Sequence, residues 1–279
     1  MRLVSFRDPA GETRAGELES DPRAGDRVHE LAAPSTLAWL AGDERERTGR
    51  SQAFDEVHLL APVPDPPSVR DFFAFEGHVA AGFRRRGTEI PAAWHEAPAF
   101  YFSNPASIHG PGEPVRRPTS TQMLDFELEI AAVVGRDVEI AGFMLMNDWS
   151  ARDIQAHEMT VALGPHKGKD FATSLGPWMT TPDELRYEGG RLHLEATVTV
   201  NGREVARSSA AEQRYSWPEL VAHAARDTRL RPGDVLGSGT LNGGCLLELG
   251  PLAGDRFIEP GDTVELSAPG LGTLRTPVV

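Results

Sequence analysis

The residues with the clearest chemical content are the alternating acids of Asp125-Phe126-Glu127-Leu128-Glu129-Ile130. In an extended strand successive side chains point to opposite faces. Asp125, Glu127 and Glu129 would then share one face, and Phe126, Leu128 and Ile130 the other. Three carboxylates that close repel one another and raise each other's pKa unless a cation sits among them. Ala131-Ala132-Val133-Val134 follows, so the segment reads as a strand with one face in a core and the other lining a charged pocket. The plainer alternative is a half-exposed strand whose outer face happens to be acidic, and the segment alone does not choose between them.

Other chemistry-bearing residues lie at element ends. Asp71 edges the aromatic run Phe72-Phe73-Ala74-Phe75, and His78 follows seven residues later beside Gly77. Phe83-Arg84-Arg85-Arg86-Gly87 is a cationic cluster, either a counterweight to the acids or a solvated helix end. The apolar strand Phe143-Met144-Leu145-Met146 runs into Asn147-Asp148 and then into a helix-like segment, on which Arg152 and Gln155, three apart, share a face. The loop Gly164-Pro165-His166-Lys167-Gly168-Lys169 carries glycines and lysines but lacks the spacing of a phosphate loop. Glu248 stands in Leu246-Leu247-Glu248-Leu249, read as an apolar strand, where a buried acid is costly without a partner.

A chain of 279 residues with 40% hydrophobic and 25% charged side chains suits one sizeable core with a small appended unit to hold these groups. A proline-rich joint, Pro62-Val63-Pro64-Asp65-Pro66-Pro67, cannot be regular helix or central strand. It separates an expected N-terminal domain, residues 1–61, from a larger one, residues 62–279. In the first, Arg2-Leu3-Val4-Ser5-Phe6 reads as a strand and Ser35 caps a short helix. In the second, Asn201-Gly202 marks a hairpin and Ser216-Trp217-Pro218-Glu219 opens a helix. The net charge of −13 argues against nucleic acid and anionic membrane surfaces. The single cysteine, Cys245, excludes an internal disulfide framework and fits a reducing cytoplasm. No apolar run approaches a membrane span, and a soluble cytoplasmic protein is expected.

Asn147-Asp148-Trp149-Ser150-Ala151-Arg152-Asp153-Ile154-Gln155 resembles the signature of the fumarylacetoacetate hydrolase family. So do residues 125–129 with their Glu-x-Glu pair, the loop 164–171, Gly239-Thr240 and residues 244–249. The resemblance extends over residues 69–279. It implies an α+β, mostly β fold, a layered mixed β-sheet roll with a small N-terminal β-rich unit, in a homodimer. It implies that Asp71, Glu127, Glu129 and Asp148 bind a divalent cation. Four hard oxygen donors suit Mg²⁺ or Ca²⁺, with Mn²⁺ also within that chemistry. It further implies that Glu248 orients His78, which activates water, and that Arg152, Gln155 and Lys169 stabilise negative charge developing on a substrate carbonyl. Tyr101 and Thr240 match substrate contacts. Arg84 matches a group holding a distal carboxylate, with Arg85 or Arg86 as alternatives.

The departures are specific. The connection between Val134 and Gly142 is short, as is the one between Thr240 and Gly244, and Phe73 stands where the hydrolase that names the family has a tyrosine. Smaller members often carry His-x-x-Glu, whereas His78 is followed by Val79-Ala80-Ala81; with Glu248 present, this favours the hydrolase-type pair. The expected activity is metal-dependent hydrolysis of the carbon–carbon bond of a 1,3-dicarbonyl, an acylpyruvate-like or fumarylacetoacetate-like 2,4-dioxo acid. The alternatives are a decarboxylase, tautomerase or isomerase working on a 2-oxo acid through an enolate. A metal-binding relative without turnover is a third, and the intact set of His78, Glu248 and Lys169 argues against it.

Overall fold

Residues 128–134 and 143–146 are apolar at every position but Glu129, the pattern of strands covered on both faces. The computed structural model, which describes Met1 to Val279 apart from Pro9, Ala24, Asp43 and Ala253, places them side by side at the centre of a twelve-stranded mixed sheet. Leu128–Val134 pairs antiparallel with Ile140–Asp148, and Ile140–Asp148 with Thr173–Thr180. Alternation divides their side chains between two cores. Leu128, Ile130, Ala132, Val134, Phe143 and Leu145 enter one, and Ala131, Val133, Met144 and Met146 the other.

The first core is closed by a four-stranded antiparallel sheet, Arg203–Ser209, Glu195–Val200, Thr263–Ala268 and Gly272–Pro277, together with the helix Trp217–Ala225. That helix has the expected start, a capping box in which Ser216 and Glu219 satisfy each other's backbone N–H groups. The hairpin at Asn201-Gly202 also forms, with φ of 52° and 78°, joining Glu195–Val200 to Arg203–Ser209. The second core is closed by the N-terminal unit, whose helix Thr36–Ala41 is capped by Ser35 accepting from the Ala38 amide at 3.2 Å.

This β-rich unit is hydrogen-bonded to the rest: Arg2–Arg7 pairs with Thr173–Thr180, so Thr13–Asp21, Gly25–Leu31 and Arg47–Ala53 extend the large sheet. At the far side, Val235–Gly237 lies antiparallel to Leu128–Val134 and parallel to Val69–Phe72, which pairs with Phe100–Ser103. Among the described residues 39% are strand and 19% helix; the mostly β, layered mixed-sheet class expected from the resemblance is the one found. No helix among them is long and apolar enough to cross a membrane.

Two local expectations are corrected. The acidic segment is not one continuous strand. Leu124–Asp125 pairs with Ser150–Ala151 in a separate ribbon, and the chain joins the large sheet only at Leu128. The change of partner leaves the Glu127 amide to the Asn147 side chain, at 2.9 Å. Glu248 is not in a strand either: Leu246–Leu249 is a single helical turn. Its first amides would be unsatisfied, and the Asp125 carboxylate accepts from Leu246 and Leu247 at 2.8 and 3.0 Å. The Asp125 carboxylate thereby caps a helical turn in a run whose apolar pattern reads as strand.

Candidate active site

Sheet register brings three acids to one edge of the core. Asp148 ends its strand, Glu129 lies near the start of the neighbouring one, and Asp71 sits opposite Gly237 on the parallel strand beyond. One oxygen of each lies within 4.8 Å of the others, and all three residues are buried. Gly237 makes this approach possible. A Cβ there would stand 2.5 Å from Asp71 Oδ1 and 3.0 Å from Glu129 Oε2. Gly239, at φ +79°, turns the chain where a Cβ would meet the Phe72 carbonyl oxygen, and its amide donates to Asp71 Oδ1 at 3.2 Å.

This cluster fits a divalent cation. Glu129 Oε2 and Asp148 Oδ1 are buried and make no hydrogen bond, an arrangement that costs about 1–3 kcal/mol or more for each such group. Burial, followed by the neighbouring carboxylates, pushes Asp71 and Glu129 well above the usual carboxylate range. Asp148 is also raised by burial, against the pull of Lys169. A cation among the three would reverse that logic, and an all-oxygen donor set selects a hard one such as Mg²⁺ or Ca²⁺.

Glu127, expected as a fourth carboxylate of the same cluster, is turned toward cations of the chain itself. Its Oε1 accepts from Arg152 at 2.8 Å, and its Oε2 from Lys169, whose ammonium also binds Asp148. Burial opposes the charge of Glu127, but Arg152, Lys169 and His78 outweigh it and hold the carboxyl below its ordinary value. Burial likewise opposes the Lys169 charge, and Asp148 and Glu127 outweigh it, raising the ammonium's pKa.

Arg152 opens the helix Arg152–Glu158, and its Nη1 donates to Gln155 at 3.1 Å, so the pair shares a face as the spacing predicts. The Lys169 loop is tied down by buried Glu158, which accepts from the His166 and Gly168 amides at 2.7 and 3.0 Å.

The other wall carries His78, the third residue of the helix Glu76–Arg85. Its Nδ1 is 2.8 Å from Glu248 Oε1, and its Nε2 lies 3.6 Å from Glu127 Oε1. Glu248 Oε1 is placed to accept from Nδ1, an arrangement in which Nε2 is the ring nitrogen available to take a proton. Glu248 is held in turn by the Gly243 amide at 3.0 Å, and the His78 backbone amide donates to Asn242 Oδ1 at 3.2 Å.

These groups meet around a cavity of about 510 Å³. Asp71, His78, Tyr101, Glu127, Glu129, Arg152, Gln155, Lys169 and Thr240 line it. Glu248 stands behind His78, and Asp148 lies beneath, joined to the wall by the Tyr101 hydroxyl, which donates to it at 2.6 Å. Thr240 Oγ1 is 3.4 Å from Glu129 Oε1. Arg84 is exposed and does not line the cavity; Arg85 and Arg86 do. The helix ends at Arg85 with Arg86 as its cap, and Arg85 Nη1 donates to the Leu247 carbonyl at 3.1 Å.

Asp125 is the residue whose use sequence reasoning missed. It is fully buried and does not line the cavity. Its carboxylate accepts from Arg152 Nε at 2.8 Å and from the two amides that start the Glu248 turn. It thus links the two walls. The alternation of acids placed it on the right face; nothing local pointed to a partner 121 residues away.

The family model described as fumarylacetoacetate (FAA) hydrolase C-terminal matches residues 68–279, and one described as Rv2993c-like, N-terminal, matches residues 1–62. A fumarylacetoacetase of Arabidopsis thaliana is 34% identical over 284 residues, covering 76% of this chain and 67% of that protein. The chain spans about two thirds of the length of such relatives. A 5-carboxymethyl-2-hydroxymuconate delta-isomerase from Mycobacterium smegmatis is 29% identical, with TM-score 0.76 and 100% and 99% of the two chains covered. A 2-hydroxyhepta-2,4-diene-1,7-dioate isomerase from Mycobacterium marinum is 27% identical, with TM-score 0.75 and 100% and 98% covered.

Proposed function

The chain belongs to the fumarylacetoacetate hydrolase family, and from that premise we propose that it hydrolyses the carbon–carbon bond of an acylpyruvate-like 2,4-dioxo acid with the help of a divalent cation. Asp71, Glu129 and Asp148 would hold the cation, with Glu127 adjacent, and hard-oxygen chemistry favours Mg²⁺ or Ca²⁺. When bound, the cation supplies Lewis-acid polarisation of a substrate carbonyl.

The observation that carries the hydrolytic reading is the His78–Glu248 pair, 2.8 Å apart beside the acids. Nε2 of His78 takes a proton from water as the water oxygen bonds to the carbonyl carbon. Glu248 holds the Nδ1 proton, and Glu127 at 3.6 Å stabilises the imidazolium. Arg152, Gln155 and Lys169 face the negative charge that develops on the carbonyl oxygen. The carbon–carbon bond then breaks, its electron pair passing to the carbon between the two carbonyls, and that carbon takes the proton back from Nε2. A 2,4-dioxo acid and water become a carboxylic acid and pyruvate, with no atom unaccounted for. Arg85 and Arg86 at the opening suit a substrate with a distal carboxylate. Tyr101 and Thr240 contact its body.

The test is a panel of 2,4-dioxo acids with Mg²⁺ or Ca²⁺, read by identifying the products. Release of pyruvate and the matching acid by the wild type, and its loss in His78→Ala, is the expected result. Proton exchange or CO₂ release without cleavage would instead establish the second reading, an isomerase, tautomerase or decarboxylase. That reading is favoured by the likeness to two isomerases over the whole chain.

A further inference from the structure

The chain has two lysines, Lys167 and Lys169, and both stand on one loop. Their surroundings are opposite. The Lys167 side chain is 72% exposed and pairs with Asp170 at 2.9 Å, whereas that of Lys169 is 5% exposed and its ammonium binds Glu127 and Asp148. A lysine reaches its target on a flexible four-carbon stem. The place of its backbone therefore decides whether the ammonium stays with those two acids.

That place is set through the neighbouring Gly168. Its carbonyl accepts from the Ala151 amide at 2.8 Å, and a Cβ on it would stand 2.8 Å from the Gln155 backbone nitrogen. Its amide donates to both Glu158 oxygens, at 3.0 and 3.2 Å. The His166 amide donates to Glu158 Oε1 at 2.7 Å, and His166 Nδ1 lies 2.9 Å from Oε2. The helix itself has no use for an acid here. Glu158 is the last residue of Arg152–Glu158, the end at which a helix dipole disfavours a carboxylate. It is also buried, which adds a desolvation cost. The same short helix carries Arg152 and Gln155. Glu158 thus fastens the loop bearing one charge-stabilising group to the element bearing the other two.

We propose that Glu158 is the positioning residue for Lys169, clamping the backbone of residues 166–168 to the helix so that the ammonium is held at Glu127 and Asp148. Glu158 does not line the cavity, so it acts through Lys169 and not on the substrate. The effect on turnover rests on the hydrolytic reading, whereas the placement of Lys169 does not.

Amine labelling of the Mg²⁺-loaded full chain with an N-hydroxysuccinimide ester, read by peptide mass spectrometry, reports the two lysines separately. In the wild type Lys167 should label rapidly and Lys169 slowly. In Glu158→Ala, Lys169 should label at least about tenfold faster, the factor for one lost hydrogen bond to a charged group. Lys167 should be unchanged and serves as the internal standard. Glu158→Gln keeps an oxygen for the two amides and should restore the protection. Turnover gives the second readout. Glu158→Ala should lower kcat by about 10²-fold, the cost of a misplacement of roughly 1 Å, and should lower it no further in a Lys169→Met background. Lys169 as protected in Glu158→Ala as in the wild type overturns the proposal. So does a loss of kcat equally large with and without Lys169→Met, because additivity marks groups that act independently. Circular dichroism checks folding, and Glu158→Asp, one methylene shorter and unable to reach both amides, takes the place of the alanine variant if that one does not fold. Labelling needs no substrate, so it decides the proposal even if no 2,4-dioxo acid is cleaved, and the two readings fail separately.

Discussion

The two walls of the cavity are built by different means. The carboxylate wall stands on four adjacent strands of the large sheet, so the spacing of Asp71, Glu129 and Asp148 follows from register and from the missing side chain at Gly237. The His78 wall stands on two short helices, Glu76–Arg85 and Leu246–Leu249, held by side-chain hydrogen bonds to backbone amides. A ladder of backbone bonds buried on both faces tolerates the loss of one side chain. A one-turn helix whose first amides depend on a single carboxylate does not. Loss of an acid from the first wall should therefore cost chemistry and spare the fold, whereas loss of the cap of the Glu248 turn should cost both, and substitutions can separate the two.

The largest expected effect is on the first wall. Glu129→Gln removes a charge from the three-acid cluster, and Mg²⁺ or Mn²⁺ affinity should fall by more than the about 10–100-fold typical of an outer partner, with turnover lost and thermal stability kept. Calorimetric titration with the metal checks it, and unchanged affinity would remove Glu129 from the cation site. His78→Ala comes next. It should cut kcat by about 10²–10⁴-fold while leaving metal affinity at the wild-type value, as Mn²⁺ binding measured alongside the rate would show.

Asp125→Asn probes the link between the walls. It leaves buried Arg152 with one charged partner fewer and weakens the cap of the Glu248 turn. Breaking a buried ion pair costs about 3–5 kcal/mol, read as a lower denaturation midpoint in urea, and kcat should drop as Glu248 loses its hold on His78. If stability falls while kcat/KM at permissive temperature stays at the wild-type level, Asp125 supports the fold but not the pair. The smallest effect is expected from Gly237→Ala. A methyl 2.5 Å from Asp71 Oδ1 displaces one carboxylate, and metal affinity should weaken by about tenfold, roughly 1.4 kcal/mol, with the His78 side untouched. An equal loss in the metal-saturated rate would show that the two walls move together.

Much of this was legible in the chain because it depends on neighbours a few residues apart. The alternation 125–130 put apolar groups in one core and acids on the other face even though the strand breaks at Glu127. The turn at Asn201-Gly202, the box at Ser216 and Glu219, and the shared face of Arg152 and Gln155 rest on periods and caps that act within one turn or one strand. The resemblance supplied the site residues, but it could not say how Glu127 would divide its oxygens between Arg152 and Lys169, or which arginine of the 84–86 run would reach the cavity.

Those points depend on contacts between residues far apart in the chain. His78 meets Glu248 across 170 positions, Asp71 meets Gly239 across 168, and Asp125 meets Leu246 across 121. Leu246 to Leu249 are good helix formers, but four residues make too few local interactions to hold a helical turn by themselves. A carboxylate delivered by a distant ribbon caps it. Local sequence determined which residues could form strands, turns and caps. The register of the sheet decided which of their side chains would share one cavity, because only that ladder fixes distances of a few ångströms between groups with no short-range reason to meet.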